Sequence, residues 1–201
     1  MTYTNSLSPL ITPYPKIIVT PHYFPVQWCD NINNWMIKNV EPDTRLGAKG
    51  ARRCTVRVLY PGLRPYNDVF RSMIDYVKPN ISRLNVDLDY KIDGVIQHVT
   101  YNTGDYVAWH NDLLDIQSAL VHPRCSDLKT NRKASMTVML SNPSDYTGGK
   151  FIFDPNVKLP HNVEGKGTVA LFTSHTQHRV EEITSGTRQI LFVFLTGPEW
   201  R

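Results

Sequence analysis

The sequence predicts a mainly β fold, a sandwich or jelly roll, whose N-terminal part is helical and covers one outer face of a sheet. After Leu88, helical patterns almost disappear, and short β-rich runs alternate with turns that contain glycine. Before Leu88, apolar residues recur at spacings of three and four, as in amphipathic helices. The predicted strands are residues 94–101, 106–110, 135–140, 150–153, 168–172, 177–183 and 188–196.

The N-terminal part is predicted to contain an extended arm, two helices and one strand. Residues 1–21 are rich in proline and form the arm. The first helix is predicted over Val26–Val40 and stops just before a proline. The alternating pattern of Arg52–Tyr60 predicts a strand. A second helix is predicted over Tyr66–Leu84, and Pro79 should end or kink it.

The composition is that of an ordinary globular protein. The 201 residues are 41% hydrophobic and 20% charged, which excludes a disordered chain and suggests one domain. The net charge of +4 is too small to indicate nucleic-acid binding. Three scattered cysteines, no secretory signal pattern and no apolar run of membrane-spanning length predict a soluble, cytoplasmic protein without a membrane partner. The sequence leaves the oligomeric state open.

The segment Leu113–Lys133 has no clear periodicity. A loop of this length inside a compact domain is usually functional, for example as a lid, and the sequence leaves open whether this segment closes over the site. Its basic residues, with Arg124 among them, either face solvent or contact a substrate.

The stretch from Tyr101 to Asp112 carries the strongest chemical signal. If it continues as a strand to its end, His110 and Asp112 point to the same face and supply two metal ligands. The third is expected from His178, and His175 is the alternative. Two histidines and one carboxylate form the facial triad of non-haem Fe(II) oxygenases. In a regular strand Trp109 points to the opposite face, which predicts core packing.

Further motifs follow in a fixed order along the chain. They are Tyr101-x-x-Gly104-x-Tyr106-x-x-His110-x-Asp112, then Ser135 to Asn142, then Asp145-Tyr146-x-Gly148-Gly149, then His178-Arg179-Val180 and Gly186-x-Arg188. Over about residues 50–201 this series resembles the prolyl 4-hydroxylase-like branch of the Fe(II)- and 2-oxoglutarate-dependent oxygenases, most closely its compact bacterial and phage members. The resemblance implies a double-stranded β-helix over residues 91–201 of a single domain, supported by residues 1–90.

The resemblance also implies roles for individual residues. His110, Asp112 and His178 would bind Fe(II). Arg188 would pair with the C5 carboxylate of 2-oxoglutarate, and Tyr101 would donate its hydroxyl to the same carboxylate. Dioxygen is the second cosubstrate, and ascorbate is a further candidate cofactor. Candidate substrate contacts are Tyr146, Arg124 and Trp109.

The implied activity is hydroxylation of a peptidyl residue, with proline favoured, coupled to decarboxylation of 2-oxoglutarate to succinate. The partner would be a peptide or protein. Two departures weaken any assignment of the substrate by analogy: Met139 stands where animal relatives have a second tyrosine, and Arg188 stands where collagen-type relatives have lysine. The alternatives are the same chemistry on a free amino acid or other small molecule, and a non-catalytic binding module. Phe194 stands where nucleic-acid demethylases carry a second arginine, which disfavours that branch.

Overall fold

The computed structural model describes residues 17–43, 52–88, 91–92, 95–113, 131–157, 159 and 161–198. Arg124 and most of the segment Leu113–Lys133 lie outside these ranges, as do most of the predicted N-terminal arm and Cys125. The end of that arm, Ile17–Thr20, is described and forms a strand at the edge of a sheet.

The described elements are two α-helices and twelve strands. In chain order they are β1 (Ile17–Thr20), α1 (Val26–Asn39), β2 (Arg52–Arg53), β3 (Thr55–Leu59), α2 (Tyr66–Asn80), β4 (Lys91–Ile92), β5 (Ile96–Asn102), β6 (Tyr106–His110), β7 (Asn131–Met139), β8 (Tyr146–Gly148), β9 (Phe151–Phe153), β10 (Val169–Thr173), β11 (His178–Val180) and β12 (Ile183–Gly197). Short 3-10 helices cover Ile81–Leu84 and Pro143–Asp145. Among the described residues, neither α-helix combines the length and apolar composition that crossing a membrane requires.

The strands form two antiparallel sheets. The larger sheet has the order β1-β10-β7-β12-β5-β3, and both β4 and β8 pair with β12. The smaller sheet has the order β2-β6-β11-β9. This arrangement confirms the predicted mainly β, jelly-roll fold with N-terminal helices.

Several predicted boundaries change. The single predicted strand Arg52–Tyr60 is two strands in different sheets, β2 and β3. The predicted strand 177–183 is also interrupted, since β11 ends at Val180 and β12 begins at Ile183. Pro79 lies inside the last turn of α2, which ends one residue later at Asn80. A proline removes one backbone donor there, and the chain continues as a 3-10 helix.

The two faces of β7 show how the layers are built. Met136 and Val138 pack with Met36 of α1 and Met73 of α2 in one buried cluster, so the helices cover the outer face of the larger sheet. Successive side chains of a strand alternate between faces. Residues 135, 137 and 139 therefore point inward, between the sheets, where Met139 joins the second buried cluster.

Glycine allows the tight approach of β8 to the start of β12. Gly186 has a φ of +77°, in the left-handed region. A Cβ atom at this position would collide with the backbone of Asp145 and Tyr146. The strand that carries Arg188 therefore starts directly beside the Tyr146 segment.

Candidate metal centre

Two histidines and one aspartate converge between the sheets. His110 ends β6 and His178 begins β11, and the two residues are paired directly across these strands. Asp112 follows β6 by two residues, and one donor atom from each of the three side chains lies within 4.8 Å of the others. Asp112 Oδ1 is 3.6 Å from His110 Nε2, and Asp112 Oδ2 is 3.6 Å from His178 Nε2. Within the described residues, this is the one group of three or more such side chains that could hold a metal ion.

A β-bulge aims His110 at this point. His110 pairs with His178 and Val107 pairs with Val180, so three steps along β6 match two steps along β11. An extra residue in one strand reverses the facing of the residues beyond it. As a result, Val107 is buried in the interior cluster and His110 also points inward, although they are three residues apart.

The bulge also places Trp109 on the outside of the smaller sheet. Its relative exposure is 45%, and the Arg179 guanidinium carbon lies 5.2 Å from its ring centroid. Trp109 does point away from His110, as expected, but the predicted core packing is wrong, because this outer face of the smaller sheet is exposed at Trp109. Asp112 does not belong to the strand, which ends at His110. Its backbone N–H donates to the Ser174 carbonyl at 2.8 Å and holds the carboxylate in the site.

The hydrogen bonds of both imidazole rings leave their Nε2 atoms free to bind a metal. His110 Nδ1 lies 2.8 Å from the Ala108 carbonyl, and His178 Nδ1 lies 2.9 Å from the Thr176 carbonyl. A carbonyl only accepts, so each Nδ1 carries the proton and each Nε2 keeps its lone pair. Burial lowers the pKa of His178, which favours its neutral, metal-binding form.

The Asp112 carboxylate is buried and has a fixed orientation. Ser135 Oγ donates to Asp112 Oδ2 at 2.6 Å, and Ser174 Oγ lies 3.3 Å from Ser135 Oγ. Two neutral imidazoles and one carboxylate are the donors that non-haem Fe(II) prefers, so this set fits that metal. His175, the alternative ligand in the sequence, is not part of the converging group, and its ring lies 3.4 Å from Thr173 Oγ1.

A buried arginine lies deeper between the sheets. Arg188 on β12 is 2% exposed and pairs across the strands with Tyr101 on β5. Its Nη2 donates to Met139 Sδ at 3.4 Å, while its Nη1 is buried without a hydrogen-bond partner among the described residues. A buried cation without an anion is costly. Arg188 Nη1 therefore has a donor available for the carboxylate of a bound ligand.

Two tyrosines border this arginine. The Tyr101 ring centroid lies 5.3 Å from the Arg188 guanidinium carbon. Burial raises the pKa of the Tyr101 hydroxyl, so it remains protonated and able to donate. Tyr146 is also buried, and burial raises its pKa while nearby Arg188 lowers it. The structure thus places Tyr146 at the arginine end of the site.

Sequence reasoning gave no role to Ser135, although it lies within one of the quoted motifs. The available signal was that Ser135 lies within an otherwise mostly apolar run, residues 134–140, which is buried in the structure. A serine in a buried strand needs a polar partner, so its hydroxyl was a candidate for contact with the site. The partner could not be read from the sequence, since Asp112 is 23 positions away.

Comparisons with known proteins agree with this geometry. The sequence profile of the 2OG-Fe(II) oxygenase superfamily matches residues 96–196, half of the chain. A stretch of 59 residues is 39% identical to a PKHD-type hydroxylase of Prochlorococcus marinus, and this match covers 27% of the chain and only about a quarter (24%) of that relative.

Solved structures share the fold over almost the whole chain. The viral collagen prolyl hydroxylase of Paramecium bursaria Chlorella virus-1 superposes with a TM-score of 0.65 at 20% identity, covering 90% of this chain and 96% of that one. A Pseudomonas putida prolyl-4-hydroxylase gives 0.67 at 16% identity, covering 91% and 93%. By its fold and by the profile match over residues 96–196, the chain belongs to the 2OG-Fe(II) oxygenase superfamily.

Proposed function

We propose that this protein is an Fe(II)- and 2-oxoglutarate-dependent hydroxylase that acts on a peptidyl residue, with proline favoured. The observation that carries the proposal is a pair of chemically matched groups on either side of the Phe151 ring, whose centroid lies 5.4 Å from that of His178 and 5.9 Å from the Arg188 guanidinium carbon. On one side, His110, Asp112 and His178 converge; on the other, Arg188 has a buried nitrogen without a partner among the described residues. A 2-oxo dicarboxylate can bind a metal with its 2-oxo acid end and an arginine with its far carboxylate.

Each residue of the site has a proposed role in binding the metal or the cosubstrate. His110 Nε2, His178 Nε2 and an Asp112 carboxylate oxygen would hold Fe(II), and Ser135 keeps the carboxylate oriented. Arg188 would hold the far carboxylate of 2-oxoglutarate, with Tyr101 as a second donor. When bound, the iron with dioxygen and 2-oxoglutarate supplies the oxidising power that hydroxylates a C–H bond while succinate and carbon dioxide are released.

Aromatic rings keep water away from the deep side of the metal centre. The ring centroids of Phe172, Phe151 and Phe153 lie 4.9, 5.4 and 6.0 Å from that of His178. The His178 side chain is accordingly only 2% exposed, whereas the His110 side chain is 34% exposed. A substrate would therefore approach from the His110 side.

A peptide substrate is supported by two features. The His110 side chain is 34% exposed, and Trp109 beside Arg179 lies on the outer face of the same sheet, which a chain extending beyond the metal centre could reach and a small enclosed molecule could not. In addition, similar folds belong to prolyl hydroxylases. We propose Trp109 and Arg124 as substrate contacts, and we assign Tyr146, which lies beside Arg188, to the cosubstrate end.

The proposed cellular setting is the reducing cytoplasm. Cys29 and Cys54 are buried free thiols, and burial raises the pKa of each to about 11. Thiols with so little thiolate at neutral pH react slowly. They are structural residues that need no oxidising compartment.

The direct test is turnover with Fe(II), ascorbate, 2-oxoglutarate and a library of proline-rich peptides. We expect succinate to form in proportion to a product heavier by one oxygen atom, and the Asp112→Ala variant to form neither. Omitting ascorbate shows whether it is needed for sustained turnover. If no peptide is hydroxylated but free proline or another small molecule is, the peptidyl part of the proposal is wrong. If wild-type protein binds neither Fe(II) nor 2-oxoglutarate, the enzymatic proposal itself is wrong.

A further inference from the structure

Thr137 carries a buried hydroxyl that forms no hydrogen bond with the described part of the chain. Its side chain on β7 is fully buried, and Oγ1 has no hydrogen-bond partner among the described residues. Buried hydroxyls are usually paired, and leaving one unpaired lowers stability. Valine has almost the same shape without this cost, so the hydroxyl at this position calls for a partner beyond the described residues, such as a bound ligand.

The position of Thr137 indicates which partner this is. Thr137 lies on the inward face of β7, midway between Ser135 and Met139. The Ser135 hydroxyl donates to the Asp112 carboxylate, and the Met139 sulfur accepts from Arg188 Nη2. Thr137 therefore lies on the strand between Ser135, which contacts Asp112, and Met139, which contacts Arg188, at a level that a ligand extending from the metal ligands towards the arginine would reach.

The protein offers Thr137 only apolar neighbours across the strands. It pairs in register with Ala170 of β10 and with Phe192 of β12. Neither side chain has a polar atom that could accept from the hydroxyl. A ligand between the sheets is then the natural acceptor.

Length decides which end of the ligand reaches this hydroxyl. Ser135 and Met139 are four residues apart, or about 13 Å along a strand. A chain of five carbons with bonds of about 1.5 Å is much shorter than this, so a dicarboxylate held at the metal ends near the level of Thr137. A carboxylate offers about four lone-pair positions, and the two-donor fork of Arg188 leaves some of them open.

We propose that Thr137 Oγ1 donates a hydrogen bond to the far carboxylate of the bound 2-oxo dicarboxylate, beside Arg188. This inference rests on the proposed function. Thr137 thereby acts as a specificity residue: its hydroxyl, which no described residue pairs with, favours a ligand that ends in a carboxylate over one that ends in a methyl group.

The test compares wild-type protein with the variants Thr137→Val and Thr137→Ser. Each is loaded with Mn(II), which binds without turnover, and titrated by calorimetry with 2-oxoglutarate and with 2-oxopentanoate, which lacks the far carboxylate. The valine variant should bind 2-oxoglutarate about 10- to 100-fold more weakly, as expected for losing a hydrogen bond to a charged group. The serine variant should stay close to wild type, and 2-oxopentanoate should bind all three proteins equally.

Thermal unfolding of the metal-free and ligand-free proteins supplies a second readout. The valine variant should have a Tm equal to or above that of wild type, because it removes an unpaired buried hydroxyl. Equal 2-oxoglutarate affinity in wild-type and valine proteins would overturn this inference and leave the proposed function intact. A loss shared equally by both oxo acids, as general damage to the pocket would produce, also overturns it. Wild-type protein that binds no 2-oxoglutarate defeats both proposals.

Discussion

The hydroxyl of Ser135 donates a 2.6 Å hydrogen bond to Oδ2 of Asp112, and both side chains are buried. A short bond to a carboxylate is charge-assisted and stronger than a neutral one. It fixes the rotation of the carboxylate, so that Oδ1 lies near His110 Nε2 and Oδ2 near His178 Nε2. Ser135 on β7 of the larger sheet thus orients the carboxylate of Asp112, which follows β6 of the smaller sheet.

The Ser135→Ala variant should weaken metal binding by roughly 10- to 100-fold, as is typical when a hydrogen bond that orients a metal ligand is removed. Calorimetric titration of the metal-free protein with Mn(II) measures the effect. Ser144→Ala is the matched control, since Ser144 is exposed in the 3-10 helix Pro143–Asp145. Unchanged Mn(II) affinity in Ser135→Ala would show that the carboxylate does not need this bond.

The choice between His178 and His175 can be tested by metal content. His178→Ala and Asp112→Ala should each lose stoichiometric metal after reconstitution and desalting, because each removes one of three converging donors. His175→Ala should retain it, since His175 is outside that group. Metal analysis by mass spectrometry provides the measurement. Retention by His178→Ala together with loss by His175→Ala would reverse the assignment.

The Arg188→Met variant should bind 2-oxoglutarate more weakly without losing folding stability. Loss of a two-donor contact to a carboxylate is expected to weaken 2-oxoglutarate binding to the Mn(II)-loaded protein by about 100-fold or more. The free energy of unfolding of the ligand-free protein should stay constant or rise by about 1–3 kcal/mol, since a buried charge with an unpaired nitrogen is replaced by an apolar side chain.

Two further variants control the arginine experiment. Arg188→Lys should give an intermediate affinity, because lysine keeps the charge but loses the planar fork. Arg179→Met removes a partly exposed arginine outside the pocket and should bind 2-oxoglutarate like wild type. If Arg188→Met instead destabilises the ligand-free protein strongly, the guanidinium has a structural partner that the described residues do not include.

Acid should destabilise the protein through His98. This side chain is fully buried, and burial, reinforced by the charge of Arg57, lowers its pKa to about 4 from an ordinary value of 6.5. Between these two pH values the unfolded chain binds a proton that the folded chain excludes. Stability contributed by neutral His98 is therefore complete above the unfolded pKa and is lost as the pH falls towards 4. The total loss is about 3 kcal/mol.

Urea unfolding at neutral pH and at about pH 5 measures how much the free energy of unfolding falls with falling pH. Comparing wild type with the variant His98→Gln tests whether His98 is the cause. Glutamine can still donate to the Asn33 side chain, whose Oδ1 lies 2.8 Å from His98 Nε2, but it does not titrate. The variant should lose less stability than wild type between the two pH values. An identical loss in both proteins would exclude His98 as the source.

The sequence alone supported a large part of this description. Apolar spacing located α1 to within one residue of its observed end at Asn39, because a helix that packs on a sheet must show its apolar face in the sequence. Short β-rich runs separated by glycine-containing turns indicated the jelly roll, because strands and tight turns also leave local patterns in the sequence. The spacing around His110, Asp112 and His178, with Arg188 ten positions after His178, identified the family before the fold was known.

Other features were decided by tertiary contacts that leave no local pattern. Alternation placed Trp109 opposite His110, as observed, but could not show that this face of the smaller sheet is exposed. The one-residue bulge against β11, which lets both Val107 and His110 point inward, was not predicted either. Register between strands depends on partners far away in the chain, so local periodicity cannot reveal it.

The sequence by itself determined the chemistry: which side chains can bind a metal, and which arginine can bind a carboxylate. Only the tertiary structure decided how they are held. It places Ser135 against Asp112, pairs Arg188 with Tyr101, and leaves Thr137 and one nitrogen of Arg188 unpaired between the sheets among the described residues. The physical reason is that residue types fix the available donors and acceptors, while pairing requires strands distant in sequence to come within about 3 Å of one another.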